Sequence, residues 1–332
     1  MRRAVELTEI RVKGANRQVP SLEIDARKVV VLGQWLRVAS VHDEIWTEGQ
    51  VASDPPSIIN AMREAGLKAD IFTFRQKLPD TEPRYRYHLF LENWAVIRTG
   101  NLETWWERLP QSSRKNVRRA ARRGVVVRET FCDEALIEGI TEIYNELPIR
   151  DGRPYPHYGK DVATVRREVR TLLDRSRFLG AYFGTELIGV LKLVYMGKVA
   201  SVLYLACKQA HFDKRAANAL LAAAAEGCHK QGVDYLVYDH FNYGSRTNSP
   251  LTEFKRRNGF EPILVPRYFV PMTVWGDISL KLRLYRGVRG LLPTWIVDPL
   301  LKLRSQYYEK RLAKFIANRN TSLDARAVGD DD

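Results

Sequence analysis

Three strand-like runs follow one another between residues 178 and 208, and they constrain the fold of this 332-residue chain more than any other feature. The runs are Phe178 to Tyr182, Glu186 to Tyr195 and Ala200 to Lys208, and only turns at Gly184 and Gly197 separate them. Connections this short join antiparallel neighbours, because a parallel pair needs a crossover of a dozen or more residues. The second half of the chain is therefore predicted to contain an antiparallel meander.

Helical and strand-like segments surround this meander. The segments are predicted helices at Glu134 to Asn145, Lys160 to Arg175, Lys214 to Lys230 and Pro250 to Arg257, and predicted strands at Asp234 to Asp239 and Pro262 to Pro271. The first hundred residues alternate in the same way, with one strand from Val29 to Ser40 and a helix from Pro55 to Ala65. The pattern predicts an α/β (α+β) protein with two lobes.

Size and charge narrow the class of protein. A chain of 332 residues exceeds the usual size of a single domain, which also favours two lobes. Its 53 Lys and Arg against 39 Asp and Glu give a net charge of +14. This surplus favours a polyanionic partner such as RNA, anionic lipid or a nucleotide-linked substrate, without choosing among them.

The sequence also indicates a location. No apolar run reaches the ~18 to 20 residues that span a bilayer, and Glu6 interrupts the amino terminus before a signal peptide could form. We therefore expect a cytoplasmic protein. The three cysteines, Cys132, Cys207 and Cys228, are far apart, so neither a disulfide framework nor a metal site is predicted.

Four stretches of the second half, taken in order, resemble the GNAT superfamily of acyltransferases. They are residues 178–190, 200–221, 232–239 and 254–262. Within that superfamily, the basic stretch 112–125 and the pair Phe254-Lys255 are similar to the Fem-like branch, whose members build peptidoglycan bridges. The resemblance implies two tandem GNAT-like lobes with mixed, mostly antiparallel central sheets flanked by helices.

The resemblance also implies an organisation and an activity. Residues 1–110 would form a degenerate lobe, 111–127 a basic connecting helix, 128–275 the catalytic lobe, and 276–332 a basic helical extension with a disordered tail. Such a protein transfers an acyl or aminoacyl group from an acyl-CoA or an aminoacyl-tRNA to an amine, for example on a cell-wall or surface-polymer precursor. No permanently bound cofactor is expected.

The turn before the alanine-rich helix departs from the GNAT pattern. Acetyl-CoA enzymes have glycines there, whose bare amides hold the pyrophosphate, whereas this chain has Arg215 and Ala217 at those places. The departure makes a tRNA-borne or unusual donor more credible, although cationic side chains could still pair with phosphate. The predicted donor-binding residues are Lys208, Lys214, Arg215, Asn218 and Phe254.

Three residues are candidates for the chemistry. Amide formation needs a donor for the developing oxyanion and a route for a proton. The resemblance gives Lys255 the first role, provided that its ammonium points into a slot between diverging strands; otherwise it is a solvated surface lysine. Asp239 would hold the amine or accept its proton, or it only caps the following loop. His240 could act as a base near neutral pH.

The acceptor is predicted to lie against the aromatic loop 150–159, which resembles a substrate-facing loop of Fem-like proteins. Arginines beside aromatic rings suit a phosphate, sugar or nucleotide, although a rigid packing loop has the same composition. The predicted acceptor-binding residues are Arg153, Tyr155, His157, Tyr204 and Tyr243.

Two basic segments suggest larger partners. The first is predicted to contact tRNA through Arg114, Lys115, Arg118, Arg119, Arg122 and Arg123, or to be an exposed helix between lobes. The second, residues 281–319, could touch the inner face of the plasma membrane as a cationic amphipathic helix, or pack on the body of the protein. A non-catalytic RNA-binding or membrane-surface adaptor that keeps the fold is the alternative to an enzyme.

Overall fold

The computed structural model describes residues 4–12, 15–243, 249–286, 299 and 303–316. These residues form two compact units that are interleaved along the chain. Unit 1 falls within Met1–Pro110, Val194–Val202 and Ala225–Leu291, and unit 2 within Gln111–Leu193, Leu203–Ala224 and Leu292–Asp332.

The elements are numbered in chain order. Those of the first 110 residues are β1 (Glu6–Val12), β2 (Ala15–Ile24), β3 (Arg27–Leu32), β4 (Val38–Val41), a 3₁₀ turn (Glu44–Trp46), α1 (Pro55–Glu64), β5 (Ile71–Arg75), β6 (His88–Arg98) and α2 (Leu102–Arg108). Those up to residue 183 are α3 (Gln111–Arg122), β7 (Val125–Thr130), α4 (Glu134–Asn145), β8 (Ile149–Arg150), β9 (Arg153–Pro154), α5 (Val162–Val169), a 3₁₀ turn (Leu173–Arg175) and β10 (Ser176–Phe183).

The remaining labelled elements follow in the same order. They are β11 (Glu186–Met196), β12 (Val199–Cys207), a 3₁₀ turn (Phe212–Lys214), α6 (Ala216–Lys230), β13 (Tyr235–His240), α7 (Pro250–Arg257), β14 (Glu261–Pro271), α8 (Val274–Lys281) and a 3₁₀ turn (Leu284–Arg286).

Unit 1 is organised around a sheet with the strand order β1-β2-β3-β4-β5-β14-β6-β13. The β4–β5 pair is parallel and the other neighbours in this series are antiparallel. Helix α1 buries Ile58, Ile59 and Met62 in a core that also contains Phe72 and Tyr268. Because β14 lies between β5 and β6, the sheet joins residues that are up to about two hundred positions apart in the sequence.

Unit 2 has the strand order β12-β11-β10-β7, and β11 and β12 also contribute residues to unit 1. Helices α4 and α5 cover this part of the sheet. Ile137 and Ile140 of α4 and Val165 of α5 pack with Phe178 and Val190 in one apolar core. The apolar residues of α4 recur at the helical period, as the sequence predicted. The predicted fold class, mixed α/β with mostly antiparallel sheets flanked by helices, is confirmed.

Local differences from the predictions have physical causes. The single strand predicted from Val29 to Ser40 is wrong, because the chain reverses between β3 and β4. Gly33 makes this turn at φ 97°, where an added Cβ would lie 2.1 Å from the Leu36 carbonyl oxygen. Helix α5 ends at Val169 rather than Arg175, since Leu172 takes a left-handed conformation with φ 54°. The assignment of a degenerate and a catalytic lobe to residues 1–110 and 128–275 stays a prediction.

The carboxy-terminal extension is described in part. Residues 303–316 are helical, and in unit 2 the Phe315 ring lies 6.4 Å from the Tyr158 ring. Residues 287–298, 300–302 and 317–332 lie outside the described residues, and with them much of the segment 281–319. Among the helices that the structure does describe, none has the length and hydrophobicity to cross a bilayer.

Candidate functional site

A row of polar side chains lies on one face of the unit 1 sheet. In the antiparallel register, Arg75 of β5 lies opposite Arg267 of β14, and Trp94 of β6 lies opposite His240 of β13. Glu92 lies two residues from Trp94, so it points to the same face. Directly opposite residues share a face, and the pairing therefore aligns charged groups across four strands.

Two acids and two arginines form the buried core of this row, which we call the four-charge cluster: Glu44, Arg75, Glu92 and Arg267. Two arginines placed directly opposite each other repel. Glu44 contacts both guanidinium groups, at 3.1 Å from Arg75 Nε and in a short contact to Arg267. Glu92 does the same, at 2.5 Å from Arg267 Nε and 3.6 Å from Arg75 Nε. The cluster is therefore balanced in charge.

The four-charge cluster continues into a histidine and an aspartate. His240 Nδ1 lies 2.8 Å from Asp239 Oδ1, and its Nε2 lies 4.0 Å from Glu92 Oε1. Hydrogen bonds to Asp239 and Glu92 raise the pKa of His240 to about 9. Burial alone would raise the pKa of Asp239, but hydrogen bonds from His240 and Tyr243 outweigh it and hold that pKa at about 2. At neutral pH these two groups form an ion pair.

This ionisation changes the expectation for His240. A ring with a pKa of about 9 is mostly a cation near neutral pH, which disfavours it as a general base there. It can orient the Asp239 carboxylate and stabilise its charge. The ring also stacks on Trp94, with centroids 4.8 Å apart, which holds its plane against β6. Its assignment as a catalytic residue stays a prediction.

Lys255 of α7 completes the group that we call the Lys255 cluster: Lys255, Tyr243, Asp239 and His240. The lysine side chain is fully buried. Its ammonium donates to the His240 carbonyl oxygen at 2.6 Å and to the Tyr243 hydroxyl at 3.1 Å, and Tyr243 donates to Asp239 Oδ2 at 2.9 Å. Burial lowers the pKa of Lys255 to about 8, against the attraction of Asp239. The alternative of a solvated surface lysine is therefore wrong.

The local backbone explains how these groups meet. Asp239 has a φ of 49°, a left-handed conformation, at an irregularity in the β6–β13 register between Val237 and His240. Aspartate accepts this conformation more readily than most residues, and bulges of this kind often re-aim side chains at functional sites. Within the described residues of the two strands, β12 pairs with β13 only over Tyr235–Val237, so the pairing stops before Asp239.

Taken together, the two clusters contain one more cation than anion. Arg75 and Arg267 are matched by Glu44 and Glu92, and Asp239 matches His240, which leaves the charge of Lys255. An ammonium has three N–H donors, and two of those on Lys255 are occupied by the contacts above. The arrangement can therefore stabilise a negatively charged oxygen that forms beside Lys255.

The predicted donor-binding residues lie mainly in unit 2. Lys208 is paired with Glu142 and Glu186 at 2.9 and 2.7 Å, and the Lys214 ammonium lies 3.7 Å from the centre of the Phe183 ring. Arg215 has a φ of 61°, the left-handed conformation for which glycine is the ordinary residue. Asn218 lies in the first turn of α6, while Phe254 is half-buried in unit 1 beside Lys255.

Two backbone amides in the loop between β12 and α6 already have an anionic partner. The Glu146 carboxylate accepts hydrogen bonds from Gln209 N at 2.6 Å and from Ala210 N at 2.7 Å. An internal carboxylate thus occupies backbone donors that follow directly after β12. These two amides are not available to a phosphate while Glu146 stays in place.

The predicted acceptor-binding residues are divided. Tyr243 belongs to the Lys255 cluster in unit 1, whereas Arg153, Tyr155, His157 and Tyr204 lie in unit 2. His157 and Tyr155 pack against Tyr144, with ring centroids 4.4 and 6.0 Å away, while Arg153 is exposed on β9. The Tyr204 hydroxyl is buried, and no described residue hydrogen-bonds to it. These contacts are typical of a packed loop, and the acceptor role stays a prediction.

Sequence reasoning missed the residues that the first hundred positions contribute, namely Glu44, Arg75, Glu92 and Trp94. Their partners on β13 and β14 lie more than a hundred positions away, and no short motif contains them. One signal was present, because Arg75, Glu92 and Arg267 interrupt otherwise apolar strands. Charged residues are rarely buried without a partner, so three of them in predicted strands suggest a mutual cluster.

Several solved structures have a similar fold. FemX matches with a TM-score of 0.56 at 10% identity, over 84% of this chain and 90% of FemX. The carboxy-terminal domain of a putative lysylphosphatidylglycerol synthetase from Agrobacterium fabrum matches with a TM-score of 0.51 at 13% identity, over 82% of this chain and 91% of that one. L-PGS from Bacillus licheniformis matches with a TM-score of 0.50 at 12% identity, over 79% and 85%.

Sequence comparison adds no closer relative. No protein-family model matches the sequence, and no curated protein does. Identities of 10 to 13% over more than three quarters of each chain relate these proteins in fold alone. The chain therefore shares its fold with FemX, the synthetase domain and L-PGS, in agreement with the fold that the resemblance of its second half predicts.

Proposed function

We propose that the protein transfers an acyl or aminoacyl group from an activated donor to an amine, and that the Lys255 cluster performs the reaction. The observation that carries the proposal is a fully buried ammonium with a pKa of about 8, held by Tyr243 and the His240 carbonyl beside the Asp239 carboxylate. Perturbed ionisable groups that depend on one another in this way are concentrated at functional sites. The fold of FemX supports the same reaction class.

Lys255 would act on the carbonyl oxygen of the donor. When the amine nitrogen attacks the carbonyl carbon, the electron pair of the C=O bond moves to oxygen, and the third N–H of Lys255 donates to that oxyanion. Collapse of the intermediate re-forms the carbonyl and expels the thiolate of a CoA donor or the ribose oxygen of a tRNA donor. No covalent bond to the protein forms in this scheme.

Asp239 would orient the amine. The residue is exposed, and each carboxylate oxygen keeps a second lone pair after the bonds to His240 and Tyr243. The amine nitrogen becomes positively charged as it attacks, so a nearby carboxylate favours that state. The proton that the nitrogen loses can then leave through water beside Asp239 or pass to the departing oxygen or sulfur.

The donor is an acyl-CoA or an aminoacyl-tRNA, and two features of unit 2 favour the tRNA. Arg215 places a side chain where CoA-binding loops use glycine, and Glu146 occupies two amides of the same loop. Both features hinder the backbone cradle that a CoA pyrophosphate uses. Helix α3 offers a cationic surface for tRNA phosphates, because it buries Ser113 and Ala120 and exposes Lys115, Arg118 and Arg119.

The acceptor would be an amine of a cell-envelope precursor at the inner face of the plasma membrane. The cationic extension 281–319 would then hold a cytoplasmic protein near anionic lipid. Proteins of this fold include a putative lysylphosphatidylglycerol synthetase, which is named for a lipid product. The amine itself is to be identified by experiment.

A donor experiment tests the proposal. Purified protein is incubated with an extract of small molecules and lipids, together with either ¹³C-labelled aminoacyl-tRNA or ¹³C-labelled acetyl-CoA, and amide products are detected by mass spectrometry. We expect a labelled amide from the aminoacyl-tRNA. A labelled amide from acetyl-CoA alone would contradict the tRNA donor and keep the transferase.

Two sets of substitutions distinguish an enzyme from a non-catalytic adaptor. Arg118→Ala combined with Arg122→Ala removes two exposed charges of α3, and the double variant should weaken tRNA binding and flatten its dependence on salt. Tyr243→Phe keeps the ring and removes the hydroxyl between Lys255 and Asp239, and it should slow transfer without changing tRNA binding. A protein that yields no labelled amide from either donor, yet still binds tRNA, would be an adaptor.

A further inference from the structure

A pocket in unit 1 adjoins the Lys255 cluster and has no part in the proposed chemistry. Its empty space measures about 570 Å³, including the part that opens to solvent. Apolar side chains form most of its wall, and they are Ile45, Leu78, Trp94, Met196, Val199, Val237 and Val265. Trp94 also stacks on His240, so one wall of the pocket contacts a member of the Lys255 cluster.

Arg75 gives this apolar pocket a distinct polar feature. The residue lines the pocket, it is only 8% exposed, and its Nη1 atom is buried without a hydrogen-bond partner among the described residues. A buried donor left unpaired costs about 1 to 3 kcal/mol, and more when the group is charged. An acceptor oxygen on a bound molecule would remove this cost.

Two other polar residues of the pocket wall, Gln76 and Lys77, are already engaged in hydrogen bonds. Gln76 donates to the carbonyl oxygens of Asp80 and Glu82, and its own oxygen accepts from Arg84 N and Tyr268. The Lys77 ammonium donates to the backbone carbonyl of Thr47. Arg75 therefore contributes a buried charged donor that an acceptor in this pocket can satisfy.

The charges that surround Arg75 determine whether it binds a charged or a neutral oxygen. Its charge and that of Arg267 are already matched by Glu44 and Glu92 in the four-charge cluster. A carboxylate would add a third anion to this buried set, whereas a neutral carbonyl satisfies the N–H without changing the balance. The apolar wall adds the second requirement, a compact hydrocarbon group beside that carbonyl.

We infer that this pocket binds a compact apolar group that carries a neutral amide carbonyl, with the Arg75 guanidinium donating to the carbonyl oxygen. The inference rests on the proposed function in one respect, since it makes the occupant a part of one substrate. That substrate then has an amide carbonyl separate from the carbonyl that reacts at Lys255. Peptide-like and N-acylated molecules have this chemistry.

Three small molecules with the same branched carbon skeleton test the inference on the full-length protein. They are isovaleramide, isovalerate and isoamylamine, and binding is measured by ligand-observed NMR and calorimetry in the absence of any donor. We expect isovaleramide to bind at least about tenfold more tightly than isoamylamine, which has the same apolar group and no acceptor. Equal affinities of these two, no binding of isovaleramide, or tighter binding of isovalerate would each overturn the inference.

Two variants with a matched control locate the binding. Arg75→Lys removes Nη1 and should abolish the preference for isovaleramide, although it also disturbs a buried cluster. Thr47→Trp fills the pocket with a bulky ring, keeps the backbone carbonyl that accepts from Lys77, and should prevent binding. Asn60→Trp places the same ring on an exposed position of α1 outside that pocket and should leave binding unchanged. Binding that survives Thr47→Trp would place the ligand elsewhere.

The outcomes also separate this inference from the proposed function. A protein that binds isovaleramide in the pocket but transfers nothing would contradict the transferase and leave the pocket assignment standing. A protein whose transfer rate is the same with and without Thr47→Trp, and which binds no probe, would keep the transferase and remove the pocket from it.

Discussion

Replacing Lys255 by methionine should slow transfer by about 10²- to 10³-fold, and the same change at a second buried lysine provides the control. Lys192 in unit 2 serves as this control, because it is also fully buried and burial lowers its pKa to about 8 as well. Lys192 donates to the Val169 carbonyl at 2.7 Å and to that of Thr171, neither of which is a candidate site residue. Methionine is unbranched and removes only the ammonium and its hydrogen bonds.

The size of the stability effect follows from the pKa. A fall from 10.5 to about 8 for Lys255 corresponds to about 3 kcal/mol of penalty on the charged form in the folded protein. Below pH 8 both folded and unfolded states hold the proton, so the penalty is constant. Between about pH 8 and 10.5 the unfolded state binds more protons than the folded state, so stability rises with pH across that window. Lys255→Met and Lys192→Met should each lose this rise.

The two variants should differ in activity. Loss of an oxyanion donor costs about 10²- to 10³-fold in kcat, so Lys255→Met should lose that much. Lys192→Met should transfer at the rate of the unsubstituted protein. Urea unfolding at a series of pH values gives the stability, and product formation per folded molecule gives the rate. Equal rates for the two variants, or a similar loss in both, would refute the role of Lys255.

Three further predictions follow from the same contacts. The rate constant kcat/KM should fall as pH rises through about 8, because the Lys255 ammonium loses its proton there, and a flat pH–rate profile would contradict this. Asp239→Asn tolerates the positive φ and removes the charge beside His240, so an NMR titration should find the His240 pKa well below its value of about 9, whereas an unchanged value would show that Asp239 does not set it. Arg267→Met leaves buried carboxylates short of a partner and should lower the free energy of unfolding by about 3 to 5 kcal/mol. Arg166→Met removes an exposed ion pair and should leave unfolding nearly unchanged, and similar losses in both variants would count against a buried cluster.

The sequence predicted elements that are determined locally. The meander of β10, β11 and β12 and the bounds of α4 and α7 agree closely with the runs of apolar residues and the capping signals. The hairpin strand β2 was missed because it reads Ala-Asn-Arg-Gln-Val-Pro, with few apolar residues and a proline. Such a strand is stabilised by its neighbours β1 and β3, and a strand that depends on pairing has a weak signal of its own.

The sequence was enough to predict which residues form the Lys255 cluster, but not the charged groups that surround it. Lys255, Asp239, His240 and Tyr243 lie within seventeen consecutive positions, so a motif and a loop were enough to group them. Their electrostatic surroundings come from the first hundred residues, through strand pairing that local patterns do not encode. The pKa of His240 depends on that distant part, because Glu92 contributes to it. For this reason the loop alone could not indicate the ionisation of His240, and its role as a base stays a prediction.

The insertion of β14 between β5 and β6 has a consequence for how the chain must be made. An amino-terminal fragment that stops at residue 110 would lack β14 and β13, which leaves one open edge on β5 and two on β6, and both strands contain many apolar residues. Open edges of this kind promote aggregation. During synthesis these strands must therefore wait for residues 261–271 to leave the ribosome. We expect that fragments cut at residue 110 are insoluble when expressed alone, and that co-expression with the remainder restores them.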